Sequence, residues 1–82
     1  MEIKVMGTGC AKCNQLYAVT RQAAESAGLD AAVVSKVEDI DEILAHGVMM
    51  TPALVIDGVV KSTGKVPAEA DIVAWIATAL EG

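Results

Sequence analysis

The chemistry most plainly written in this sequence is that of sulfur. Its two cysteines stand two residues apart, in Cys10-Ala11-Lys12-Cys13. Such a pair can be a redox-active dithiol, half of a zinc site, or two inert buried thiols, and the surroundings decide among these. Here the pair follows an alternating apolar segment and the turn Gly7-Thr8-Gly9, and it stands where a helix-forming stretch begins. The first turn of a helix offers unpaired N–H groups and the positive end of the dipole, and both favour a thiolate over a thiol. The thiolate is the attacking species in disulfide exchange, and sites of this kind lower a cysteine pKa from about 8.5 to roughly 3.5–7.5. Cys10, at the helix mouth, is therefore the expected nucleophile. Cys13, one turn inward, is the expected resolving thiol, which breaks the mixed disulfide. Lys12 adds a positive charge that tunes the thiolate if its side chain turns that way; its other reading is an ordinary solvated helix lysine. A bridge over two intervening residues constrains the unfolded chain little, so a disulfide here serves chemistry rather than stability.

The other candidates have plainer readings. His46, the only histidine, falls at a helix C-terminus, where its positive form suits the dipole. With one His and two Cys, a tetrahedral zinc site would need distant carboxylates or a second molecule. Met49-Met50 offers a soft apolar platform for docking proteins, but core packing or a plain loop is the preferred reading. Tyr17, four residues beyond Cys13, and Trp75, near the C-terminus, read as packing residues.

Several elements must position the dithiol. Residues 2–6 alternate, with Ile3 and Val5 on one face, and read as a strand. From Ala11 to about Ala27 the chain is rich in helix formers, with Leu16, Ala23 and Ala27 near one face and Gly28 as the stop. Ala31 to Val37 reads as a second strand. Asp39, with Glu42 three residues on, opens a short helix in capping-box fashion; Ile43 and Leu44 supply its apolar face and Gly47 ends it. Ala53 to Ile56 and Val59 to Lys61 are β-rich and flank Asp57-Gly58, the sequence signature of a type I′ hairpin. Pro67 then starts a last helix, with Glu69 and Asp71 early and Ile72, Ile76 and Leu80 at four-residue spacing. The opening strand–helix–strand unit requires a right-handed crossover and parallel strands. An α/β fold follows: a mixed four-stranded sheet flanked by three helices, as one domain over residues 1–82.

The bulk composition sets bounds. The chain is 54% hydrophobic but has no Phe, one Trp and one Tyr, so the expected core is built of small, closely packed aliphatic side chains. A net charge of −5, with six scattered basic residues, provides no stripe to track phosphates and argues against a nucleic-acid partner. No apolar run approaches the ~20 residues of a membrane span. The segment Met1–Met6 lacks the basic start and apolar stretch of a signal peptide, so a cytoplasmic location is expected.

Two segments carry a family likeness. Thr8-Gly9-Cys10-Ala11-Lys12-Cys13 resembles the active-site loop of glutaredoxins and small thioredoxins. Met50-Thr51-Pro52-Ala53-Leu54-Val55-Ile56-Asp57-Gly58 is similar to their cis-proline segment running into the hairpin, at the family's spacing of roughly forty residues. The closest likeness is to the small glutaredoxin-like thioredoxins of bacteria and archaea, also called redox-active disulfide proteins. The resemblance implies a thioredoxin fold of order βαβαββα and a thiol–disulfide oxidoreductase that needs no cofactor and no metal. It implies a cis Thr51–Pro52 bond facing the dithiol, with the Thr51 backbone pairing with a substrate chain. Its partners would be protein or small-molecule disulfides and a thioredoxin-type reductase.

The departures from the family pattern are as informative. Gly9 stands where thioredoxins usually have Trp, and Ala11-Lys12 replaces Gly-Pro. Lys4, six residues before Cys10, occupies the place of a buried acid that helps move protons. Ser62-Thr63-Gly64-Lys65-Val66 lacks the Gly-Gly and Asp pattern that cradles glutathione in glutaredoxins. Two rival functions use the same cysteines. A soft-metal carrier would take Cu(I) or Zn(II) on the pair, but such domains favour Met two residues before the first Cys, where this chain has Thr8, and they end in a strand. A redox-sensing adaptor would switch partner binding without turnover.

Overall fold

The apolar alternation near the N-terminus becomes the axis of the molecule. The computed structural model describes residues 1–81, in the order β1 (Ile3–Met6), α1 (Ala11–Ser26), a 3-10 turn (Ala31–Val33), β2 (Val34–Val37), α2 (Ile40–Ala45), β3 (Ala53–Ile56), β4 (Val59–Thr63) and α3 (Glu69–Leu80). The sheet order is β2-β1-β3-β4, with β1 parallel to β2 and antiparallel to β3, and with β3 antiparallel to β4. This is the mixed four-stranded sheet with three helices that the element order requires.

Pleating sends alternate residues of β1 to opposite faces. Ile3 and Val5 join Leu16, Ala23 and Ala24 of α1, Leu54 and Ile56 of β3, and Ile72 and Ile76 of α3 in the main core. Met6 turns the other way, to a smaller cluster with Val37, Ile43, Val48, Ala53 and Val55. Every side chain in these clusters is aliphatic or Met, so the missing rings are replaced by close packing of small groups. Trp75 and Tyr17 lie partly buried against the main core, which fits their reading as packing residues.

The helices end where the sequence puts stops. At the end of α1, the Gly28 N–H bonds the Glu25 carbonyl at 3.0 Å and the Leu29 N–H bonds the Ala24 carbonyl at 2.9 Å, a Schellman pattern. Asp39 caps α2 by accepting the Asp41 N–H at 2.9 Å. Glu42 does not complete the box; its carboxylate reaches Lys4 at 3.7 Å instead. The hairpin is of the expected kind, with φ of 49° at Asp57 and 82° at Gly58. Asp57 also ties the hairpin to the start of β1, donating its N–H to the Glu2 carbonyl at 2.8 Å and accepting the Glu2 N–H on Oδ1 at 2.8 Å.

Four local expectations need correction. Residues 31–33 are not strand: Asp30 accepts the Ala32 N–H at 2.9 Å and winds them into a 3-10 turn, so β2 begins at Val34. Strand β4 runs on to Thr63, because Ser62 and Thr63 pair with Leu54 and Ala53 beyond an irregularity at Leu54/Val55. Pro67 precedes α3 by two residues, and Ala68 is the N-cap without a side-chain bond. Within α2 only Ile43 is buried; Leu44, a step of one residue round the helix, is exposed, as is Leu80 at the end of α3.

Candidate active site

The site is made where β1 stops. Gly7 extends the β1–β2 ladder by one bond, from its N–H to the Val37 carbonyl at 3.0 Å, and the chain then turns outward through the exposed residues Thr8 and Gly9. Cys10 is the N-cap of α1, with extended φ −71° and ψ 166°. Its Sγ accepts the Cys13 N–H at 3.2 Å and its carbonyl accepts the Asn14 N–H at 3.1 Å. The sulfur thus takes one of the orphan donors of the helix start. The first turn of α1 contains no acid to oppose a sulfur anion.

Cys10 and Cys13 are joined by a disulfide, with their Cα atoms 5.0 Å apart. Their surroundings differ sharply: Cys10 is exposed, whereas Cys13 is only 5% exposed. Pro52 is buried beside Cys13, its peptide bond to Thr51 is cis, and its carbonyl accepts the Gly64 N–H at 2.8 Å. Thr51 is exposed, and among the described residues neither its N–H nor its carbonyl is hydrogen-bonded.

Gly7 is the residue that sequence reasoning passed over as a mere strand break. A Cβ at this position would collide with the Cys13 sulfur, lie 3.2 Å from the Cys13 Cβ, and stand 3.8 Å from the Pro52 Cα. Only a bare Cα lets Cys13 and Pro52 close on the end of β1. A signal existed, since a glycine continuing a strand often marks close backbone approach.

The remaining candidates separate from the dithiol. Lys12 is exposed on the first turn of α1 and has no ion-pair partner among the described residues. Lys4, in the place of the family's buried acid, has a side chain 22% exposed and lies within 4 Å of two carboxylates, Glu2 at 3.6 Å and Glu42 at 3.7 Å. Tyr17 stacks under Lys36, whose Nζ is 4.7 Å from the ring centre, and accepts a hydrogen bond from Arg21 at 3.1 Å. His46 is the C-cap of α2, with Nδ1 3.0 Å from the Glu42 carbonyl. Met49 and Met50 are not core: they are 85% and 63% exposed, and Met50 lies along Gly64. Among the described residues no grouping of three His, Cys, Asp or Glu could hold a metal ion, and no helix is long and apolar enough to cross a membrane.

Residues 1–77 match the model of the family described as Thioredoxin domain. The chain belongs to the thioredoxin family. It is 42% identical over 80 residues to a thioredoxin of Methanocaldococcus jannaschii, covering 98% of this chain and 91% of that one. It is 38% identical over 72 residues to a thioredoxin of Methanothermobacter thermautotrophicus, covering 88% of this chain and 92% of that one. Family membership and a bridged Cys-x-x-Cys at a helix start make this thioredoxin-family chain a thiol–disulfide oxidoreductase.

Proposed function

We propose that Cys10 attacks substrate disulfides and Cys13 resolves the product, with Thr51 and Pro52 holding the substrate. The observation that carries this division of labour is the contrast between Cys10, exposed at the helix mouth, and Cys13, a residue only 5% exposed. In the reduced protein the Cys10 thiolate attacks one substrate sulfur. A Cys10–substrate disulfide forms and the other substrate sulfur leaves as a thiolate. Cys13 loses its proton and attacks the Cys10 sulfur, which releases the second substrate thiol and leaves the Cys10–Cys13 disulfide. Two electrons have passed to the substrate. A thioredoxin-type reductase returns them, so the dithiol needs no further cofactor.

The free backbone of Thr51 supports its role, since an extended substrate segment can pair there beside Pro52 and the dithiol. Lys12 adds positive charge to a first turn that has no acid, which favours the thiolate. The substrates in this reading are protein or small-molecule disulfides in a reducing compartment, the cytoplasm.

Trapping tests the assignment. The Cys13→Ser variant, offered a protein disulfide, should accumulate a mixed disulfide that mass mapping places on Cys10. The Cys10→Ser variant should accumulate at least a hundredfold less. Mixed disulfides mapping to Cys13 in the wild-type chain would overturn the roles.

A further inference from the structure

Gly9, the residue before the attacking cysteine, has a neighbour from far along the chain. Gly9 is exposed, with φ of 86°, and the space where its side chain would stand has a single atom within 4 Å: Oε2 of Glu38, at 3.6 Å. The topology delivers it there. The Val37 carbonyl takes the Gly7 N–H at 3.0 Å, so the residue after β2 must emerge beside the loop that carries Cys10. Asp39, next in the chain, is committed to the cap of α2. Glu38 itself is exposed and makes no hydrogen bond or ion pair among the described residues. A free carboxylate therefore flanks Gly9, one residue from the attacking sulfur.

We propose that Glu38 is a specificity-determining residue that biases the dithiol toward disulfides with positive charge near the S–S bond and against anionic ones. The inference rests on Cys10 being the attacking thiolate. A disulfide in line with Cys10 must lay its substituents on the surface around the sulfur, and the Glu38 carboxylate stands beside Gly9, the residue preceding Cys10. Two unit charges about 6 Å apart in water change an equilibrium roughly threefold, so exchanging a cation for an anion at that distance amounts to about tenfold at low salt. Screening at physiological ionic strength, with a Debye length of about 8 Å, reduces this to about threefold.

The other charges near the rim are accounted for. Lys12, on α1, opposes the bias. Lys36, on β2, is turned to Asn14 at 3.3 Å and to the Tyr17 ring. Lys65, beyond β4, is exposed and has no ion-pair partner among the described residues. None of them changes in a Glu38 variant, so the difference between wild type and variant isolates this one carboxylate.

The test compares second-order rates of reduction of three small disulfides by the reduced protein: cystamine (cationic), 3,3′-dithiodipropionate (anionic and of similar length) and 2-hydroxyethyl disulfide (neutral). The cationic-to-anionic rate ratio should fall about tenfold from wild type to Glu38→Gln at low salt, and fall further in Glu38→Lys. Glu38→Asp should keep most of the wild-type ratio. The difference between wild type and Glu38→Gln should shrink below twofold in 0.5 M NaCl, a response that a merely structural role would not produce. Ratios equal within twofold at low salt, with all three disulfides reduced, would overturn the role of Glu38 and leave that of Cys10 standing. If the wild-type protein reduced none of them, the Cys10 reading would fail and this inference with it.

Discussion

On one side of the sheet two helices, α1 and α3, pack with the strands into a core of ten buried residues. On the other side the six-residue α2 covers a cluster of six, while Lys4, Ile40 and Leu44 keep contact with water. The dithiol stands between these faces but belongs to the thick one, because Cys13 is rooted in α1 one turn ahead of Leu16. The groups proposed to meet or select a substrate come from the thin side: Glu38 before α2, and Thr51 and Pro52 after it. A rigid sulfur pair is thus held by the large core, and its rim is drawn from the segment with the least packing to lose.

Substitutions along this contrast should rank in size. Leu16→Ala, at a site with no exposed surface in the main core, should cost about 4 kcal/mol, which is most of the stability available to a chain of this length. Ile43→Ala, in the small cluster, should cost about 2 kcal/mol, since solvent and α2 can both relax into the space. Leu44→Ala, one residue away but 54% exposed, should fall within about 0.5 kcal/mol of wild type. Denaturant unfolding of the three variants checks the order, and an Ile43 effect as large as that of Leu16 would erase the distinction between the faces.

Gly7→Ala sharpens the comparison at the boundary. The added methyl has to displace the Cys13 sulfur or the end of β1, so about 1–2 kcal/mol of stability should be lost. If Cys13 resolves mixed disulfides as proposed, the rate of that step should fall as well, because its sulfur is displaced. Loss of stability with an unchanged resolving rate would show that the close approach serves packing alone.

How far the sequence carries can be seen at single residues. Asp57-Gly58 and Gly28 are local signals, and the hairpin and the end of α1 stand where they indicate. Cys10 and Cys13 are legible for the same reason, since their spacing and the helix start lie within a few residues. The 3-10 turn at 31–33 was hidden because Asp30 competes locally with the strand, and the extension of β4 because Ser62 and Thr63 gain their place only by pairing with β3. Gly7 and Glu38 escaped for a different reason. Their importance lies in what they approach, Cys13 across a turn and Gly9 across twenty-nine residues, and no local periodicity reports such a contact. The exposure of Met49 and Met50 fits the plain-loop reading and not core packing, two alternatives that apolar residues beside a proline leave open.

The measurement that bears most directly on the account is a redox equilibrium titration of the metal-free wild-type protein, with both thiols followed by alkylation and mass spectrometry. The account predicts one two-electron transition in which Cys10 and Cys13 are protected together within a single chain. Its midpoint should lie in the roughly −180 to −270 mV range of cellular dithiol carriers. Cysteines that oxidise independently, or that bridge only between chains, would contradict it.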